Sequence, residues 1–128
     1  MNAQRATRPL WFDAAILGFV AFLVFLATAS YEGSQVNDPA SALTAAWSIG
    51  QHGTLDMTIS PAPKAWAFPV GDHLYSDRMP GIIAWGVPFY WLLGVPGAPT
   101  MFPSGVAVAV AGALVVALGF LLFRRLAG

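Results

Sequence analysis

The run from Gly105 to Phe123 contains no charged residue and ends on Arg124 and Arg125. At about 1.5 Å of rise per helical residue, such a run covers the roughly 30 Å of a bilayer's hydrocarbon core. An earlier run, Ala14 to Ala29, reaches the same length with Leu10, Trp11 and Phe12 in front of it. Asp13 falls in its first turn, where the positive helix end favours an anion. A signal peptide is also basic and then apolar. This run is long for such a segment, however, and Ala27-Thr28-Ala29 makes only a fair cleavage site, so a retained helix is expected. Composition points the same way. The chain is 57% hydrophobic and 9% charged, against about 25% charged for an average soluble domain.

The basic residues give the two runs a direction. Arg5 and Arg8 precede the first, and Arg124 and Arg125 close the last. Lys and Arg stay on the cytoplasmic side of a membrane helix, so both ends are expected inside and the number of crossings even. Between the spans lie Glu32, Asp38, Asp56, Asp72 and Asp77 against Lys64 and Arg78, a net charge of minus three. The expectation is an all-α cell-membrane protein. Residues 1–9 are a cytoplasmic end, 10–30 a span, 31–103 an outer loop, 104–125 a second span and 126–128 cytoplasmic again. Gly105, Gly112 and Gly119 recur near one face of the last helix, where small residues allow another helix to come close, but ordinary membrane-helix composition is the preferred reading.

A middle apolar run, Gly81 to Val95, is short and broken by Gly86, Pro88 and Gly94. It reads as a re-entrant or interfacial segment over 81–95, with Trp85, Tyr90 and Trp91 suited to the headgroup region. A third span is the alternative, and it would place Arg124 and Arg125 outside. No basic stripe suggests nucleic acid. Cysteine is absent, which excludes disulfides and thiolate metal sites. His52 and His73 stand too far apart to form a metal motif.

Within the loop, Asn37-Asp38-Pro39 opens a helix over 39–50, with Asp38 as N-cap and Pro39 at the first helical position. Leu43, Ala46, Trp47 and Gly50 share a face, so this amphipathic helix is expected to lie on the membrane surface. Gly50 or Gly53 ends it. Gly53 to Ile59 alternates like a short extended segment. Ser60 to Val70, with Pro61, Pro63 and Pro69, reads as irregular loop. The stretch from Gly71 to Gly81 then gathers Asp72, His73, Tyr75, Asp77 and Arg78.

In this order, Asn37-Asp38, Gly53-Thr54-Leu55-Asp56, Tyr75-Ser76, Pro80-Gly81, Pro88-Phe89-Tyr90 and Arg124-Arg125-Leu126 resemble the N-terminal part of the GT-C membrane glycosyltransferases. That superfamily includes the protein O-mannosyltransferases and lipid A aminoarabinose transferase, and the resemblance covers nearly the whole chain. It implies transfer of a sugar from a polyprenyl-phosphate donor to an acceptor on the outer face. It also implies that Asp38 is the catalytic base or the ligand of a divalent metal, the one cofactor it leaves open. For the lipid phosphate or substrate it leaves Arg78, Lys64, His73, Tyr75 and Asp77 as binding candidates. Family members have more spans, so the chain is expected to be a fragment, a split subunit or a degenerate relative. Its expected partners are membrane lipid, the sugar lipid and further membrane helices or a partner subunit. The alternative is a non-catalytic subunit packing on a larger membrane complex.

Each candidate also has a plainer role. Asp38 caps a helix, Asp56 closes a turn, Asp77 and Arg78 form a surface pair, and the histidines are solvated. Trp47, Trp66, Trp85 and Trp91 line the membrane boundary, with sugar stacking open to Trp66.

Overall fold

The computed structural model describes residues 9–29, 37–61 and 67–127, with backbone alone for 37–39. Four helices and one hairpin follow in the order α1 (Leu10–Thr28), α2 (Asn37–His52), β1 (Ala67–Val70), β2 (His73–Ser76), α3 (Pro80–Leu93) and α4 (Met101–Ala127). They form two compact units. One joins α1 to the part of α4 from Val108 onward, and the other holds Ala29–Ala107.

In the first unit, α1 and α4 run antiparallel. A Cβ on Gly18 would stand 3.2 Å from the Ala117 Cβ, and one on Gly112 would meet the Phe25 ring. As residue numbers rise along one helix, their partners fall along the other. Both helices are long and apolar enough to cross a membrane. Of α1 only Ala14 and Gly18 are buried. Phe19, Val20, Val115 and Leu118 all stand exposed. A helix apolar on every side and uncovered by protein is suited to lipid rather than water. Gly112 meets the Phe25 ring of α1, while nothing lies within 4 Å of a Cβ on Gly119.

In the second unit, α2 is the core. Ala42, Ala45, Ala46 and Trp47 are buried, and so are Ser41, Thr44 and Ser48. This corrects the expectation of a helix lying on a membrane surface. Small side chains, not a broad apolar face, decide its packing. A Cβ on Gly50 would come within 2.9 Å of the Trp91 N and 3.0 Å of the Val87 O, and one on Gly86 within 3.0 Å of the Ala46 Cβ. α2 and α3 therefore meet nearly backbone to backbone. Gly50 sits inside α2 rather than ending it. Gly53 ends it with φ of 69°, its N–H donating to the Ile49 O at 2.9 Å. The Trp47 indole N–H donates to the Val95 O at 2.9 Å, which ties the end of α3 to α2.

The all-α expectation is corrected by the hairpin. β1 and β2 pair antiparallel, with Phe68 opposite Tyr75 and Val70 opposite His73. Gly71, at φ of 60°, supplies the positive dihedral that a two-residue turn with Asp72 requires. Pro69 is tolerated because both strands of a two-stranded sheet are edges. The alternation of Gly53 to Ile59 produces no strand. Instead the Met57 N–H donates to the Leu74 O at 2.8 Å, and this segment docks on β2 by its backbone.

Candidate functional site

Of the polar groups that the sequence singles out between Gly71 and Gly81, Asp72, His73 and Tyr75 lie on the hairpin. Strand alternation sends Leu74 toward the core cluster, together with Ala67 of β1. Ser76 lies on the same side, and its hydroxyl meets that of Ser41 on α2 at 2.7 Å. Phe68, His73 and Tyr75 therefore share the opposite face. The ring centroids are 6.1 Å apart from Phe68 to Tyr75 and 6.4 Å from Tyr75 to His73.

Asp56 organises the site. Its Oδ1 accepts the Thr58 N–H at 2.9 Å, the Thr58 hydroxyl, and the Leu74 N–H at 3.2 Å. Its Oδ2 meets the His73 Nδ1 at 2.8 Å. The Thr58 hydroxyl and N–H, then His73 and Leu74, hold the Asp56 carboxyl well below the usual carboxylate range, against a smaller opposite effect of burial. The carboxylate thus closes a turn, as expected of it, and also bridges that turn to β2. The His73 partnership was not visible in sequence, because seventeen residues separate the two. The one available signal was that Asp56 and His73 flank segments rich in turn residues.

The other candidates are placed as follows. Asp77 and Arg78 form an ion pair, Nε to Oδ1, at 3.1 Å. Neighbours in sequence, they lie just before the N-terminus of α3, whose first turn has no side-chain cap. Tyr75 is half-buried on the aromatic face. His52 packs edge-on against Trp47 at 4.7 Å between ring centroids. Asp38 stands in the first turn of α2, which begins at Asn37, and its side chain lies outside the described residues. Lys64 and Trp66 also lie outside them, as do Arg5, Arg8 and Glu32. Among the described residues, no three His, Asp or Glu side chains gather to hold a metal ion.

Beside α3 lies an open apolar hollow lined by Ile49, Leu55, Pro80, Ile83, Ala84 and Val87. Its lining begins two residues along the chain from Arg78. No protein-family model, curated protein or solved structure matches this chain.

Proposed function

We propose that this chain is a module of a membrane glycosyltransferase that moves a sugar from a polyprenyl-phosphate donor to a hydroxyl acceptor on the outer face. In this reading α1 and α4 cross the cell membrane, both ends are cytoplasmic, and the unit from Ala29 to Ala107 faces outward. The antiparallel run of two apolar helices and the arginines at their cytoplasmic ends support that topology.

The observation that carries the reading is the hollow beside α3, lined by apolar residues alone, whose Pro80 follows Arg78 by two residues along the chain. A prenyl phosphate needs both halves: apolar walls for the chain and a fork of N–H donors for the phosphate. The reaction forms a bond from the acceptor oxygen to the anomeric carbon and breaks the bond from that carbon to the phosphate oxygen. The phosphate leaves with the bonding electrons, so a cation near it lowers the barrier. Arg78 has that role here. The acceptor proton passes to a carboxylate, and the resemblance assigns this to Asp38.

The test is photo-crosslinking of the purified chain in vesicles with a photoreactive polyprenyl phosphate. Adducts are expected on Leu55, Ile83 or Val87. Removing a charged hydrogen-bond donor costs about 1.5–3 kcal/mol, so Arg78→Ala should weaken labelling by roughly 10- to 100-fold. Labelling spread evenly over α1 and α4, and indifferent to Arg78, would favour the non-catalytic subunit instead.

A further inference from the structure

No Asp, Glu, Lys or Arg occurs between Arg78 and Arg124. That stretch holds all of α3, the turn with the Val95–Ala98 bridge, and α4 up to its last turn. A water-facing surface carries charge at about one residue in four, so the stretch is not built for water. The charged side chains described in the 37–107 unit, Asp56, Asp72, Asp77 and Arg78, all precede α3. Charge is thus segregated within one compact unit.

α3 has two faces. Ile83 and Tyr90 are buried, and Gly86 approaches Ala46 of α2. On the opposite side, Ile82 and Leu92 are 61% and 69% exposed. Trp85 keeps its ring partly exposed while its indole N–H donates to the Ala107 O at 3.1 Å. Trp91, 69% exposed, stands at the edge.

We infer that the face of α3 opposite α2 lies flat in the outer interface of the lipid bilayer, with α2 and the hairpin on its water side. This rests on the reading of α1 and α4 as spans. Lipid is the occupant because the uncharged sequence runs on without interruption from α3 into α4, itself long and apolar enough to cross a membrane. A helix of 14 residues, about 21 Å long, cannot cross the hydrocarbon. Nor can α3 dip into it, because its inner face is fixed on a helix with buried Ser41, Thr44 and Ser48, and the Ser48 hydroxyl has no partner among the described residues. Carrying such groups into hydrocarbon is costly. A flat helix buries only its apolar side chains, to about 5–10 Å. The interfacial form is therefore chosen over the re-entrant one, and α3 rather than α2 touches lipid.

The chain has no cysteine, so single spin labels report depth directly. The full chain in phosphatidylcholine vesicles would carry Ile82→Cys, Leu92→Cys, Val70→Cys, Val20→Cys or Val115→Cys, each measured for accessibility to oxygen and to a water-soluble nickel chelate. Positions 20 and 115 should be deep, 82 and 92 shallow but within lipid, and 70 in water. If 82 and 92 are as nickel-accessible as 70, as deep as 115, or shielded from both reagents by a covering protein, the inference is overturned while the spans stand. If 20 and 115 are not deep, the membrane reading itself falls and this inference falls with it.

Discussion

The His73 Nδ1 lies 2.8 Å from the Asp56 Oδ2, and this contact joins the segment after α2 to the exposed face of the hairpin. The carboxylate that makes it is only 16% exposed, whereas His73 is 59% exposed. Asp56 is therefore the fixed member and the imidazole the member it orients.

The pair gives the hairpin a defined response to acid. The Asp56 carboxyl is held below its usual range in the folded chain. A group depressed on folding contributes stability above its unfolded value, about 3.9 for Asp, and loses it as pH falls toward the folded value. Hydrogen exchange at the Leu74 and Thr58 amides should therefore be unchanged by this group from pH 5 upward and accelerate only below about pH 4. Asp56→Asn should exchange faster at pH 7, and its difference from the parent chain should shrink in acid. Equal protection in the two chains at pH 7 would remove Asp56 as the hub.

The contact of α2 with α3 predicts opposite outcomes for two glycine substitutions. Gly50→Ala pushes a Cβ against backbone atoms of Trp91 and Val87, which cannot turn away. Overpacking of this kind costs about 1–3 kcal/mol. Gly81→Ala meets nothing within 4 Å and lies in the first turn of α3, so it should gain roughly 0.4–1 kcal/mol through the unfolded chain. Denaturant unfolding of the two variants measures both. A neutral Gly50→Ala would show that the helices are not in backbone contact.

How much of this was legible follows from the range of each interaction. Both long helices could be read because lipid-length apolar runs are a local property. α1 ends at Thr28 and α4 starts at Met101, each within a few residues of expectation. The burial of α2 could not be read. Its small residues look like a weak amphipathic face until Gly86 of α3 is set against Ala46. The hairpin was obscured by Pro69, although Gly71-Asp72 between the two paired runs is a two-residue turn signal. In the site, Asp77 with Arg78 was legible as a neighbour pair, whereas Asp56 with His73 depends on a fold that closes seventeen residues of chain.

Topology is open to direct measurement, because the chain has no cysteine. Arg5→Cys and Arg125→Cys should resist a membrane-impermeant thiol reagent added from outside, and Lys64→Cys should react. The cause is the placement of arginine before the first apolar helix and at the end of the last. Reaction at position 125 from outside would mean an odd number of crossings, and the antiparallel pairing of α1 with α4 would then not be a pair of spans.

The last prediction concerns Asp38 and tests the proposed transfer, measured in the completed assembly that this proposal requires. It stands in the first turn of α2, where a carboxylate gains about 0.3–1 kcal/mol from the positive helix end. That contribution is present whether or not Asp38 takes part in chemistry, so stability alone cannot reveal a catalytic role. Asp38→Asn separates the two. The amide keeps the size and much of the hydrogen bonding of the carboxylate but cannot accept the acceptor's proton. If Asp38 is the base, transfer should fall by about 100- to 10,000-fold, while the loss in stability stays within about 1 kcal/mol. A divalent-metal role gives a different signature, since added metal would then restore part of the lost rate in Asp38→Glu, which retains the carboxylate. If Asp38→Asn keeps the parent rate, Asp38 serves only the helix. The proton acceptor is then Asp56, where a carboxylate and an exposed imidazole already stand in contact, Asp77, or a residue outside this chain.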